Sequence, residues 1–263
     1  MAREYFSGFT GSAGDLVVQA EGGGLWTDGR YTIQANEQLA GTGIELFMTR
    51  VEGLPSLAEH LAKVLAEQDI VAVAGHTINT ALFNELQGAF AAKQIVLRTD
   101  LDLADQVWSE RPPKSTAPAM DYPLEFAGRS TAEKLVELRD DLAEQQLDGI
   151  ILSALPDICW LLNIRGRDVP YCPLLEGYLY VDGQRATFCT TQDKLTAQLR
   201  SRLEKDGIDL ADYDAIADIA SRCSGTISLC PVTTNSTIYQ AVSKAANAKL
   251  NSAPTELRKA QKN

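Results

Sequence analysis

The sequence predicts an α/β protein made of two similar domains in tandem. Three observations support this class: helical and strand patterns alternate along the chain, one long stretch of the first half repeats in the second, and a proline-rich segment separates the halves. The length agrees, because 263 residues correspond to about two domains of ordinary size. We place the boundary in the segment 111–125, which gives domains 1–125 and 126–263.

The second half shows the α/β pattern most clearly. Ser130 and Glu133 form a capping box before a helix with a leucine stripe, and Asp148 and Gly149 separate this helix from a strand. A buried aromatic segment around Trp160 follows, and then two strands joined by an Asp-Gly turn. The remaining pattern predicts helices near 192–204 and 211–221, a strand at 226–230 and a helix at 237–248.

The first half repeats this plan. Residues 5–11 align with 160–166 at an offset of 155, and 70–74 align with 227–231 at an offset of 157. A register that drifts so little indicates two copies of one α/β domain. A helix and a strand precede the repeat only in the second copy. The first domain is therefore predicted to lack its opening helix and strand and to present an unpaired sheet edge.

Charge and rare residues exclude several kinds of function. The net charge of −11, from 24 basic and 35 acidic side chains, disfavours nucleic acid and anionic membranes as partners. No apolar run reaches the length of a membrane span and no signal peptide is present, so a cytoplasmic location is expected. The five cysteines have no metal-type spacing, which predicts reduced thiols. His60 and His76 are the only histidines, so a histidine-based hydrolase or metal site is not expected.

Two motifs keep more than one interpretation on residue types alone. Gly8, Gly11 and Gly14 are followed by a strand rather than a helix, which favours loop glycines over a dinucleotide site. Arg165 and Asp168 lie on a predicted loop after the aromatic segment, where a recognition site and an Arg–Asp surface pair both remain open.

Six motifs, in this order, resemble the amino-terminal part of the long, three-domain X-Pro aminopeptidases, the aminopeptidase P family. They are Gly-Phe-Thr-Gly-Ser-Ala-Gly at 8–14, Leu-Trp-Thr-Asp-Gly-Arg-Tyr at 25–31, Val-Trp-Ser-Glu-Arg-Pro at 107–112, Ala-Gly-Arg-Ser at 127–130, Trp-Leu-Leu-Asn-Ile-Arg-Gly-Arg-Asp-Val-Pro at 160–170, and Leu-Arg-Lys-Ala-Gln-Lys-Asn at 257–263. Each motif is weak alone, and the ordered set spans essentially the whole chain.

The resemblance implies a fold and a division of labour. The family carries two creatinase-type amino-terminal domains, each a ribonuclease H-like mixed sheet flanked by helices, before a catalytic "pita-bread" domain. That third domain removes an amino-terminal residue preceding proline, with two divalent metals, usually manganese. The motifs of that metal site are absent from the sequence, and 254–263 begins a helix without an ending signal. We therefore expect a noncatalytic region, inactive alone, with no catalytic residue, metal ligand or cofactor of its own, ending in a linker to a catalytic domain.

The resemblance also implies site residues and partners. The loop after the aromatic segment would line the mouth of the catalytic cleft, through Asn163, Arg165, Arg167 and Asp168. The matching first-domain loop, with Phe9, Thr10 and Ser12, would gate the cleft or reach a neighbouring subunit. The expected partners are the chain's own catalytic domain, a second subunit in a homodimer and short proline-containing peptides, with access to the cleft restricted to such peptides.

Two alternatives stay open. One is the amino-terminal region of a prolidase or creatinase, relatives on the same scaffold, although the doubled domain disfavours these shorter enzymes. The other, from a different functional class, is a freestanding module that binds peptides or other partners.

Overall fold

A computed structural model describes residues 2–260, without the side chains at positions 256 and 257. The end of the closing motif, 261–263, lies outside these residues. The chain separates into two compact units, which we describe one at a time. Unit 1 comprises 1–71, 85–98 and 103–107, and unit 2 comprises 72–84, 99–102 and 108–263. The domain boundary at 111–125 stays a prediction.

Unit 1 contains short helices and two small sheets. Its helices are α1 (Ala2–Ser7), α2 (Thr32–Leu39), α3 (Leu57–Val64), α4 (Thr80–Phe90), whose first five residues belong to unit 2, and α5 (Leu103–Val107). Its strands are β1 (Asp15–Gln19), β2 (Gly22–Thr27), β3 (Ile44–Met48), β4 (Ile70–Ala72), which ends at the boundary with unit 2, and β5 (Val96–Arg98). One sheet has the order β1-β2-β3, with β2 antiparallel to β1 and parallel to β3, and β4 and β5 form a second sheet.

Unit 2 contains a larger mixed sheet flanked by helices, which confirms the predicted fold class. Its helices are α6 (Leu124–Ala127), α7 (Thr131–Glu144), α8 (Leu155–Leu161), α9 (Ala197–Lys205), α10 (Ala215–Ser221), α11 (Ser236–Ala245) and α12 (Thr255–Ala260). Its strands are β6 (Met120–Asp121), β7 (Gly149–Leu152), β8 (Ile164–Arg165), β9 (Tyr178–Asp182), β10 (Ala186–Cys189), β11 (Asp209–Ala211), β12 (Thr226–Leu229) and β13 (Asn247–Leu250). The order in the six-stranded sheet is β11-β10-β9-β7-β12-β13.

Strand β7 lies at the centre of this sheet and is buried on both faces. Ile150 and Leu152 belong to an apolar cluster with the leucines of α7 and α9, whereas Ile151 belongs to a second cluster with α10 and α11. Full burial stabilises each such side chain by about 1.5–3 kcal/mol. The continuous apolar strand is what a sheet covered by helices on both faces requires.

Local signals in the sequence predict most ends of helices and strands correctly. Ser130 and Glu133 form the predicted capping box of α7, and Asp182 ends β9 at the predicted hairpin turn. The predicted helices at 211–221 and 237–248 are partly wrong, because β11 and β13 occupy their ends. Both are outer strands of only three and four residues, too short for a clear alternation of apolar and polar positions, so pairing with a neighbouring strand determines their conformation.

The internal repeat is visible in backbone and side-chain detail. Gly8 and Asn163, which the offset of 155 aligns, both have positive φ, of 70° and 50°, directly after α1 and after the end of α8. Thr27 ends β2 and Thr190 directly follows β10, so the two residues occupy corresponding places although the offset there is 163 rather than 155–157. Their hydroxyls each donate a 2.7 Å hydrogen bond to the carbonyl oxygen 14 residues earlier. Equivalent elements therefore fold in the same way in both copies.

Helix α12 is held against unit 2 by charged side chains. The Arg258 guanidinium donates to both carboxylate oxygens of Asp141, at 2.6 Å each, and to Glu137 at 3.1 Å. The hydroxyl of Thr255 donates to the buried carboxylate of Asp157 at 2.9 Å. These contacts fix the direction in which the chain leaves the sheet. No helix within residues 2–260 has the length and apolar character of a membrane span.

Candidate functional site

The loop between β8 and β9 carries the residues predicted to line a cleft. We call residues 166–176 the cleft loop. Gly166 opens it, and a Cβ atom there would lie 2.7 Å from the carbonyl oxygen of Leu174 and from the Cα of Leu175, so only glycine fits. Backbone hydrogen bonds from Gly166 to Pro173 and from Asp168 to Leu174 hold the two sides of the loop together. The two sides of the cleft loop are thus hydrogen-bonded to each other along its base.

A buried ion pair fixes the base of the cleft loop. The Nζ of Lys194 lies 2.8 Å from Oδ2 of Asp168, and both side chains are only 1% exposed. The same carboxylate oxygen accepts a 2.8 Å hydrogen bond from the backbone N–H of Glu176. Asp168 therefore joins the two ends of the loop, and its carboxylate does not reach solvent.

Asn163 and Arg165 also make internal contacts. The buried amide of Asn163 donates to the carbonyl of Arg129 at 2.8 Å and accepts from the Nζ of Lys134 at 2.6 Å. The guanidinium of Arg165 lies 4.0 Å from the centre of the Tyr122 ring and donates to the carbonyl of Ile164. These two side chains position the segment that leads into the cleft loop.

The exposed chemistry of the cleft loop is concentrated at its tip. Val169 and Cys172 pair through a tight turn in which Pro170 is followed by Tyr171, with a φ of 63°. A positive φ is unfavourable for a bulky residue such as tyrosine. The side chain of Tyr171 is fully exposed. Arg167 is exposed as well. Sequence reasoning missed Tyr171, and the proline before it was the available signal for a turn.

The matching loop of unit 1 is built differently. Phe9 is fully buried in the apolar cluster under β2, whereas Thr10 and Ser12 are exposed. The hydroxyl of Thr10 accepts hydrogen bonds from the amides of two α2 glutamines. Ser12 lies 2.5 Å from the hydroxyl of Tyr31, and their hydrogen bond lowers the pKa of Tyr31. Of the three residues predicted here, two can meet a partner in solution.

A polar cavity of about 340 Å³ opens beside the end of the cleft loop, within unit 2. Ser153, which follows β7, and Glu176, which ends the cleft loop, contribute to its walls. Such cavities at the carboxyl ends of parallel strands are common ligand sites in α/β sheets. Its walls comprise His76, Thr77, Asn79, Ser153, Leu155, Glu176, Gly177, Tyr178, Tyr213, Val232, Thr233 and Asn235.

Three polar side chains of the cavity wall are linked by hydrogen bonds. The amide of Asn235 donates to the hydroxyl of Tyr178 at 2.9 Å, and the hydroxyls of Tyr178 and Tyr213 are 3.3 Å apart. Burial raises the pKa of Tyr213, so its hydroxyl stays protonated at neutral pH. This arrangement can donate and accept hydrogen bonds.

Neither histidine lies in a site that fits the metal chemistry of the family. His60 packs against the rings of Trp26 and Phe47, with centroids 5.3 and 4.7 Å away, and His76 faces Asp102 at 3.6 Å. Among residues 2–260, no group of three or more histidine, cysteine, aspartate or glutamate side chains is placed to hold a metal ion. The donor set found in this part of the chain does not fit a two-metal centre.

Comparison with known protein families finds the same domain type twice. Residues 2–102 and residues 110–263 each match a family described as the Creatinase/Prolidase N-terminal domain. The second match alone covers more than half of the chain.

Curated relatives share most of this chain but are much longer. Aminopeptidase P1 of Lotus japonicus is 37% identical over 220 residues, which cover 83% of this chain and 33% of the relative. Aminopeptidase P1 of Arabidopsis thaliana is 34% identical, with 83% and 34% covered. Xaa-Pro aminopeptidase 1 of Dictyostelium discoideum is 31% identical, with 81% and 35% covered. The chain thus spans about a third of the length of these relatives.

A solved structure also matches the whole chain. The crystal structure of X-prolyl aminopeptidase from Caenorhabditis elegans, a cytosolic enzyme with a di-nuclear active site, superposes with a TM-score of 0.91 and 25% sequence identity. The match covers 100% of this chain and 44% of the C. elegans chain.

Proposed function

Because the chain belongs to the creatinase/prolidase N-terminal domain family, with two such domains in tandem, we propose that it is the noncatalytic amino-terminal region of a metal-dependent X-Pro aminopeptidase. The parent enzyme would remove an amino-terminal residue that precedes proline. The observation that carries this proposal is the tandem match itself, together with relatives named aminopeptidase P of which the chain spans about a third.

In this proposal the reaction takes place outside the chain. Two divalent metals, manganese in the full enzyme, would be held by a catalytic domain joined after α12, and the parent enzyme would be cytoplasmic. The charged contacts of Arg258 with α7 support this arrangement, since they fix the exit direction of the chain. A fixed exit would place unit 2 reproducibly beside the catalytic domain.

The role of this region would be to restrict access to the cleft and to aid assembly of a homodimer. The cleft loop suits the first task, since its base is rigid and its tip presents Tyr171 and Arg167 to solvent. An aromatic ring and a guanidinium are suited to contact a short peptide. The exposed Thr10 and Ser12 of the unit 1 loop would serve as the gating or intersubunit contact.

The experiment joins the chain to the catalytic part of the Lotus relative and measures release of arginine from Arg-Pro-Pro with Mn²⁺. The chain alone is expected to be inactive and the joined protein active. In the joined protein, Tyr171→Ala and Arg167→Ala should raise KM about tenfold and leave the bound metal unchanged, whereas Arg222→Ala, on an exposed helix end, should change neither. Hydrolysis by the chain alone would refute the proposal.

The same proteins separate the two alternatives, by their activity and by their affinity for a proline-containing peptide. A prolidase-type region would support cleavage of dipeptides only, so a joined protein that cleaves the tripeptide disfavours it. A freestanding module would bind a proline-containing peptide with equal affinity whether or not the catalytic part is attached.

A further inference from the structure

The two copies of the domain differ at one position of the sheet. In unit 2, β7 lies between β9 and β12, antiparallel to the first and parallel to the second. The pair β1–β2 corresponds to β9–β10, because each is antiparallel and its second strand pairs in parallel with a third. The offset of 157 aligns β4 with β12, yet β1 and β4 fall in separate sheets. Within residues 2–260, unit 1 has no strand at the position that β7 occupies in unit 2. The six-stranded sheet of unit 2 thus corresponds to a three-stranded and a two-stranded sheet in unit 1.

Exposed apolar side chains mark the same position. All four residues of β7 are buried, whereas Val18 of β1 and Ile70 of β4 are each 64% exposed. Tyr5 is 51% exposed, and Trp160, its counterpart at the offset of 155, is only 8% exposed. Exposed apolar residues beside an open strand edge form a template for strand addition.

The helix before β7 covers the aromatic residue in unit 2. Lys134 of α7 lies over the ring of Trp160, at 4.6 Å, and donates to its carbonyl oxygen at 2.7 Å. A strand alone would leave the corresponding face around Tyr5 open. A segment that fills the position as α7 and β7 do in unit 2 must therefore contain a helix followed by a strand.

We propose that unit 1 has a docking site between β1 and β4 for a helix–strand segment with the chemistry of α7 and β7. The occupant is an amphipathic helix followed by about four apolar residues in extended conformation. Its strand runs antiparallel to β1 and parallel to β4, as β7 runs between β9 and β12. Filling the position unites the two parts of the unit 1 sheet.

A second copy of the chain does not suit this position. Its β7 is paired on both edges, so donating it would require unfolding of unit 2. Its outer strand β13 is largely exposed and carries Asn247 and Lys249, which are unsuited to burial between two helix layers. A helix–strand segment outside residues 2–260 avoids both difficulties.

The first test uses a synthetic peptide with the sequence of residues 130–152. The matched control peptide carries Ile150→Asp and Ile151→Asp. Hydrogen exchange of the full chain is followed by mass spectrometry. The parent peptide is expected to slow exchange in β1 and β4 at least tenfold and to leave β12 unchanged, and the control peptide should protect neither strand.

The second test ensures that a lack of protection in the first test is not caused by weak affinity of the peptide. The segment 130–154 is fused ahead of residue 1, because Ser153 and Ala154 alone join β7 to α8, the counterpart of α1. Covalent attachment gives a high effective concentration. The fused chain should protect β1 and β4 and raise the first thermal transition by about 5 °C.

Three outcomes would overturn the proposal. They are unchanged exchange of β1 and β4 in the fused chain, equal protection by the control peptide, and a dimer of the unfused chain in which both strands are already protected. Sedimentation velocity identifies the third outcome. None of these measurements depends on peptidase activity, so the proposed function is tested separately.

Discussion

Replacement of Lys194 by methionine should destabilise unit 2 strongly, because it leaves the Asp168 carboxylate buried without its counter-charge. Both side chains are 1% exposed and 2.8 Å apart. Within residues 2–260, Oδ1 of Asp168 has no hydrogen-bond partner, so the lysine provides most of the compensation. Removing one partner of such a pair costs about 3–5 kcal/mol. The matched control is Arg222→Met, which breaks an ion pair whose side chains are 78% and 76% exposed and should cost under about 1 kcal/mol.

Native-state hydrogen exchange of the β7 and β9 amides in urea measures this free energy for unit 2 alone. The double variant Lys194→Met with Asp168→Asn removes the charge and retains an acceptor for the N–H of Glu176. It should therefore cost about 1–2 kcal/mol and recover most of the loss. A cost below about 1 kcal/mol for Lys194→Met alone would refute the reasoning, since that value is typical of an exposed pair.

Three further predictions concern the helix at the exit of the chain, a surface turn and the thiols. Arg258→Ala removes three charge-assisted hydrogen bonds and should speed amide exchange in α12 at least tenfold without affecting β7; equal rates would contradict it. The side-chain hydrogen bond from Arg30 lowers the pKa of Asp28 from 3.8 to about 2, so this contact stabilises the fold above pH 4 and is lost as the pH falls through about 2. An NMR titration should show that midpoint, and Arg30→Ala should return it towards 3.8. Iodoacetamide at pH 8 should modify the exposed Cys172 and leave Cys189 unmodified until urea is added, because burial raises the pKa of Cys189 to about 12; comparable rates in the folded chain would oppose this.

Much of the fold was predictable because its signals are local or repeat along the chain. The capping box at Ser130 and the leucines of α7 predict that helix without knowledge of its neighbours. The offset of 155 predicts that Gly8 and Asn163 are equivalent, and both have positive φ. The comparisons confirm the creatinase-type domains that the ordered motifs predicted.

The sequence predicted which segment carries the candidate site, but not which of its side chains are exposed. Asn163, Arg165, Arg167 and Asp168 were predicted together as lining a cleft, and that role stays a prediction. In the structure these residues differ in exposure, since Asn163 and the carboxylate of Asp168 are buried whereas Arg167 is exposed. A charged residue on a loop gives no sign in the sequence of whether it faces solvent or a partner inside the fold.

The sequence by itself determined the duplicated α/β plan and predicted the strand position that no strand occupies within residues 2–260 of unit 1. Periodicity, caps and repeats allow this because they are properties of neighbouring residues. Only the tertiary structure decided that Asp168 pairs with Lys194, 26 residues away, and that Tyr171 stands at the tip of the loop that this pair holds. It also decided where the strand position of unit 1 lies open. The physical reason is that burial and long-range pairing depend on which elements meet in space, and strand order in a sheet is not encoded in any one segment.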